Sequence, residues 1–122
     1  MRLRNVKNAS LRLAQNERDF VANPLDYKGK WHEVFGNNNP IHIEIGCGKG
    51  NFIIENAKRH KNINFIGIEK EDSVLCRALE KIDLLENLRF IKYDACEIDK
   101  LFDREVTRVY LNFSDQWNKK RH

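Results

Sequence analysis

Three acidic residues and a run of glycines hold the chemistry this sequence can do. Ile43-Glu44-Ile45-Gly46-Cys47-Gly48-Lys49-Gly50 joins a β-branched run to a helix-forming stretch. Glycines there permit a tight turn and let a ligand approach the backbone. A dinucleotide fingerprint would space them G-x-G-x-x-G and rest a pyrophosphate on the helix that follows. Here Gly46, Gly48 and Gly50 give G-x-G-x-G, and Glu44 precedes them. A carboxylate at that point repels a pyrophosphate and suits a ligand carrying an amine or sulfonium. Glu69 closes the next apolar run, where an acidic side chain accepts hydrogen bonds from ribose hydroxyls. Asp94 follows the third run and can reach an adenine amine, or can serve as a helix cap. Together they describe a cationic adenosine ligand, and S-adenosyl-L-methionine fits that description. A nicotinamide-binding domain is the rival reading, and Glu44 and the glycine spacing argue against it.

These residues need strands ending at one edge of a sheet, and the pattern supplies them. Ile41–Ile45, Asn64–Glu69, Leu88–Tyr93 and Arg108–Phe113 read as four strands. Asn51–Arg59 reads as a helix with Phe52, Ile53 and Ala57 inward. Leu75, Ala78, Leu79, Ile82 and Leu85 make an apolar stripe at helical spacing over 72–85, with Asp72 as N-cap. A helical turn is expected over 98–102. Alternating strands and helices predict an α/β domain with a parallel sheet and right-handed crossovers. With strand order 3-2-1-4, the ligand crevice falls where the order reverses, between the first and fourth strands. The fourth strand runs into Ser114-Asp115-Gln116-Trp117, so that stretch is expected beside the glycine loop.

Upstream, residues 9–21 are helix-tolerant but weakly amphipathic, with Leu11, Ala14 and Arg18 on one side. Asn23-Pro24 breaks the pattern, and Gly36-Asn37-Asn38-Asn39-Pro40 is a strong turn signal. Residues 1–36 therefore read as a basic arm or cap rather than core, and 37–122 as the sheet domain.

Charge is uneven. Residues 1–30 carry seven Lys/Arg against three Asp/Glu, residues 31–118 carry twelve against fifteen, and 119–122 add three more positive side chains. Basic ends around an acidic middle suit an anionic partner such as nucleic acid, or simply a solvated surface. Cys47, Cys76 and Cys96 are far apart and odd in number, so neither a disulfide framework nor a metal site is expected. No apolar run approaches a membrane span, and no secretory leader follows the basic N-terminus, so the plain expectation is a cytoplasmic protein.

With these residues in view, the chain resembles the bacterial tRNA (guanine-N7)-methyltransferases. The resemblance runs along nearly the whole sequence: Met1-Arg2-Leu3-Arg4-Asn5-Val6-Lys7, Lys30–Asn37, Ile41–Gly50, Phe65–Glu69 and Val109–Asp115. Its most specific part is Tyr110-Leu111-Asn112-Phe113-Ser114-Asp115. It implies a Rossmann-like class I methyltransferase fold, of which this sequence supplies strands one to four. It implies an enzyme moving the methyl group of S-adenosyl-L-methionine to guanine N7 in tRNA. By that resemblance Glu44, Gly46, Gly48, Gly50, Glu69, Asp94 and Asp115 frame the cofactor, with Asp115 the catalytic candidate. Lys119, Arg121 and His122 face the substrate RNA, and the basic N-terminal arm leans on it.

Two departures stand beside the likeness. Gln116 and Asn118 occupy positions where the family has proline, and losing fixed φ angles loosens a loop. The family also continues for further strands and helices after this motif. The sequence is thus expected to be a fragment whose fourth strand leaves an apolar edge, prone to association when expressed alone. The alternative function is a non-catalytic remnant that retains weak cofactor or RNA binding.

Overall fold

A computed structural model describes residues 7–112. Four parallel strands lie in the order β3-β2-β1-β4: β1 Ile41–Ile45, β2 Asn64–Glu69, β3 Leu88–Lys92 and β4 Val106–Leu111. Helix α3, Asn51–Arg59, carries the chain from β1 to β2, and α4, Asp72–Lys81, carries it from β2 to β3. A 3₁₀ segment, Ala95–Lys100, sits between β3 and β4. Two short helices precede the sheet, α1 at Ala9–Gln15 and α2 at Trp31–Phe35. The expected α/β class, parallel pairing and strand order all hold.

Strand alternation sorts the core into two clusters. One gathers Phe65, Leu88 and Phe90 with Ile53, Ile54 and Ala57 of α3, Leu75, Cys76 and Ala78 of α4, and Leu13 of α1. The other gathers Ile41, Ile43, Ile66, Ile68 and Ile91 with Trp31 and Leu101. β-Branched side chains dominate the strands of the second cluster because they pack well on a pleated surface.

Several boundaries differ from the sequence reading. Leu13 and Trp31 are fully buried, so the segment before residue 37 enters the core instead of standing off it. On α1 the inward residues are Ala9 and Leu13, whereas Leu11 is exposed; so short a helix has too few turns for the stripe to declare itself. Phe52, expected inward, is exposed, and Ile54 takes its place. α4 ends at Lys81, before the predicted end, although Leu85 beyond it is still buried. Its N-cap is Glu71; Asp72 instead forms an ion pair with Lys92 at 2.9 Å. β4 starts two residues early, at Val106, and carries an irregularity between its pairings with Ile41 and His42. Among the described residues no strand pairs the outer edge of β4. Val109 and Leu111 on it are 50% and 60% exposed.

Glu105 fastens the N-terminal segment to the sheet. Its Oε1 accepts from the backbone N–H of Gly29 (2.8 Å) and Asp103 (3.0 Å), and its Oε2 from the N–H of Trp31 (2.9 Å). The Trp31 indole N–H donates to the Leu101 carbonyl at 2.8 Å, between the rings of Tyr27 and Phe102. Hydrogen bonds to a charged acceptor outweigh neutral ones, and losing this acceptor strands three donors. Glu105→Ala is expected to cost about 1–2 kcal/mol, read as a lower urea midpoint, with Glu105→Gln recovering part of the loss. An unchanged midpoint in the alanine variant would remove Glu105 as the fastening.

Candidate functional site

The site forms where β1, β2 and β3 end together. Gly46 N–H and Cys47 N–H both donate to the Ile68 carbonyl, at 2.8 and 3.0 Å, pinning the loop after β1 to the end of β2. Gly46, Gly48 and Gly50 all take positive φ (74°, 57° and 83°), the left-handed region that costs other residues most. Gly50 is the N-cap of α3, so the turn passes directly into the helix.

Glu69 organises this turn. Its Oε1 accepts from Gly48 N–H at 3.1 Å, and its Oε2 accepts from the N–H groups of Lys70 and Glu71 at 3.1 and 3.2 Å. A carboxylate offers about four acceptor sites, so one lone pair is left for a ligand hydroxyl. Asp94, exposed after β3, accepts from Cys96 N–H at 3.0 Å, which caps the 3₁₀ segment and holds its carboxyl below the usual range. The cap role weighed for Asp94 is therefore realised. A crevice lined by Ile45, Gly46, Ile68, Glu69, Lys70, Tyr93, Asp94 and Ala95 brings Glu69 and Asp94 to one opening.

Glu44 does not line that crevice. It sits on β1, the strand bonded on both edges, opposite Gly67 of β2 and Tyr110 of β4. It is 1% exposed, and its Oε1 has no hydrogen-bond partner within the described protein. An exposed charge on an edge strand is thereby excluded. Burial pushes its carboxyl up to about 7. The Cys47 thiol is buried too; burial first, then the charges of Glu44 and Glu69, raise its pKa well above the ordinary thiol value. It stays protonated and is no nucleophile.

Lys70, Tyr93, Ile68 and Ala95 line the crevice and were not singled out from sequence. Each is at or just past a strand end, and that position is the one signal that could have found them. Gly48 and Gly50 shape the turn without lining the crevice. β4 does arrive here: Asn112 N–H donates to the Ile45 carbonyl at 3.2 Å, and its own carbonyl lies 3.5 Å from where a Cβ on Gly46 would stand. Asp115, Lys119, Arg121 and His122 lie outside the described residues, as do Gln116, Trp117 and Asn118. Among the described residues no three His, Cys, Asp or Glu side chains are grouped to hold a metal ion, and no helix is long and apolar enough to cross a membrane.

A parallel sheet with a glycine turn after its first strand and a carboxylate at the end of the second is a Rossmann-like α/β domain. Two solved structures share it: an antibiotic-related methyltransferase (TM-score 0.59, 22% identity, 70% of this chain and 46% of that one) and the antibiotic-resistance methyltransferase Kmr (TM-score 0.53, 18% identity, 66% and 45%). The chain belongs to the family described as putative methyltransferase, whose model matches residues 38–122. Among curated relatives, proteins of Brevibacillus brevis and Lachnoclostridium phytofermentans are 53% and 57% identical over all of this chain, and one of Bacillus subtilis is 50% identical. All three bear the name tRNA (guanine-N(7)-)-methyltransferase. The chain spans 58% of the length of the first two and 59% of the third.

The Glu44 carboxyl makes stability depend on pH with a definite sign. The folded protein holds this proton to about pH 7, whereas the unfolded chain releases it near the ordinary value of 4.5. Between those values the native state binds more protons, so its stability falls as pH rises and levels off above 7. Relative to Glu44→Gln, wild type is expected to lose on the order of 3 kcal/mol across that window. Parallel stability–pH curves for the two proteins would show that Glu44 titrates normally.

Proposed function

We propose that the protein is an S-adenosyl-L-methionine-dependent tRNA (guanine-N7)-methyltransferase of the cytoplasm. The observation that carries this reading is identity of about half, along the whole chain, to relatives of that name. The geometry agrees with it. Glu44 offers a buried oxygen that lacks a partner, which suits a cationic group; Glu69 keeps one acceptor site for a ribose hydroxyl; and Asp94 flanks the same opening. The cofactor, when bound, supplies a methyl group on a sulfonium for transfer to a nucleophile.

The residues of this chain have a limited task. Guanine N7 carries an in-plane lone pair, so attack requires no prior loss of a proton and no general base. Rate then comes from alignment and exclusion of water. Glu44 in its ionised form favours a positive charge nearby, and Glu69 with Gly48 fixes the loop that borders it. Asp115 is assigned to the N1–H and amino edge of the guanine, opposite N7. Lys119, Arg121 and His122 are assigned to the RNA backbone, which fixes orientation but not base choice. The basic residues before residue 37 add to the same electrostatic attraction. A second reading, cofactor or RNA binding without turnover, is favoured by Gln116 and Asn118 in place of the family's prolines.

Calorimetric titration with S-adenosyl-L-methionine and with NAD is expected to give binding of the first alone. Glu69→Ala is expected to weaken it about 10- to 100-fold, the loss of one hydrogen bond to a charged group. Transfer of labelled methyl to N7 of unmodified tRNA separates turnover from mere binding. Binding of NAD in place of S-adenosyl-L-methionine would overturn the proposal.

A further inference from the structure

Phe90 stands opposite Gly67 in the β2–β3 register, and it is fully buried. A Cβ added to Gly67 would come within 2.7 Å of two atoms of the Phe90 ring, Cδ1 and Cε1, and within 3.0 Å of Cys47 Sγ. One edge of the ring therefore occupies the one position on β2 that has no side chain. Its tip, Cζ, is 3.3 Å from where a Cβ on Gly50 would stand. One ring thus touches β2 below and the last glycine of the loop above. Cys47, in the middle of that loop, shares the space over Gly67.

The backbone of Phe90 has partners on its other side. Its N–H donates to the Asp19 carbonyl at 2.7 Å, and its carbonyl accepts from Val21 N–H at 3.0 Å. Phe20 forms a parallel bridge to Phe90. The edge of β3 is thereby covered by three residues of the N-terminal segment, and they grip the residue whose ring lies under the glycine loop.

We propose that Phe90 is a positioning residue: its ring, seated on Gly67 and held by Asp19–Val21, sets the place of the Gly46–Gly50 loop. The role in cofactor binding rests on the reading of that loop as the cofactor site; the support of the loop does not. A side chain on Gly67 forces the ring or Cys47 to shift, and both movements reach the loop. Shortening Phe90 to leucine removes the ring edge that a new Cβ would meet, so the two substitutions should offset each other.

The test is a double-mutant cycle on Gly67→Ala and Phe90→Leu, with Ile66→Val as a core control on the opposite sheet face. Hydrogen exchange is read at the Gly48 amide, bonded to Glu69, and at the Gly50 amide, bonded to the Cys47 carbonyl. In unliganded protein Gly67→Ala is expected to speed both about 10-fold, and the double variant to return most of the way to wild type. Phe90→Leu alone is expected to speed Gly50 by a smaller factor, and it serves if Gly67→Ala does not fold. Ile66→Val, which lowers overall stability, is expected to leave the loop amides unchanged relative to the rest of the sheet. Equal exchange in Ile66→Val and Gly67→Ala, or no recovery in the double variant, would overturn the proposal. Titration with S-adenosyl-L-methionine should follow the same order of variants. Absence of binding by wild type, with the exchange pattern intact, would overturn the cofactor reading and leave the role of Phe90 standing.

Discussion

The site depends on β1 being hydrogen-bonded along both edges. Register with β2 and β4 fixes which of its side chains face which core cluster. Ile41 and Ile43 go to the cluster containing Trp31; Glu44 is held where no water reaches it. A one-residue slip would exchange these faces and put an isoleucine where the carboxyl stands. The same pairing brings the ends of β1, β2 and β4 to one edge, so the glycine loop, Glu69 and Asn112 meet without long connections. Burial then makes Glu44 reluctant to ionise, and a cation arriving nearby reverses that preference.

Strands were legible because β-branched runs and turn residues are local signals, and their order followed from the α/β class those strands implied. Ile41–Ile45 and Asn64–Glu69 match the observed bounds to the residue, and Gly46-Cys47-Gly48-Lys49-Gly50 could only be a turn. What escaped was set by contacts between distant parts of the chain. Trp31 is in the core because Leu101 offers its indole a carbonyl and Glu105 its backbone an acceptor, seventy or more positions away. Phe52 lies on the apolar side of α3 by spacing but is left partly exposed, its ring set against that of Tyr110 on β4. Asn87, an unremarked polar residue, is buried because its amide group reaches the carbonyls of Ala57, His60 and Ile63 at the end of α3. Such a partner set leaves no trace in periodicity.

Among the site residues, the carboxylates were legible as a set because each sits at a strand end. Their division of labour was not. Glu69 spends three of its acceptor positions on backbone amides, Asp94 caps a helical turn, and Glu44 Oε1 has no partner in the described protein. Three residues of one chemical kind thus occupy three settings: one organises the loop, one is exposed beside the crevice, and one is buried on β1. The N-terminal segment shows the same limit. Its composition suggested an arm or cap rather than core, yet its Leu13 and Trp31 are buried in the core and its Asp19–Val21 backbone bonds to β3.

Cys47 gives the loop a reporter of its own. It is buried and kept in the thiol form, whereas Cys96 is exposed on the surface. An alkylating reagent meets Cys96 at once but reaches Cys47 only in the fraction of molecules whose loop has swung away from Ile68 and Gly67. The rate of Cys47 labelling is therefore a clock for opening of the glycine turn, legible by mass spectrometry in wild-type protein without any added probe.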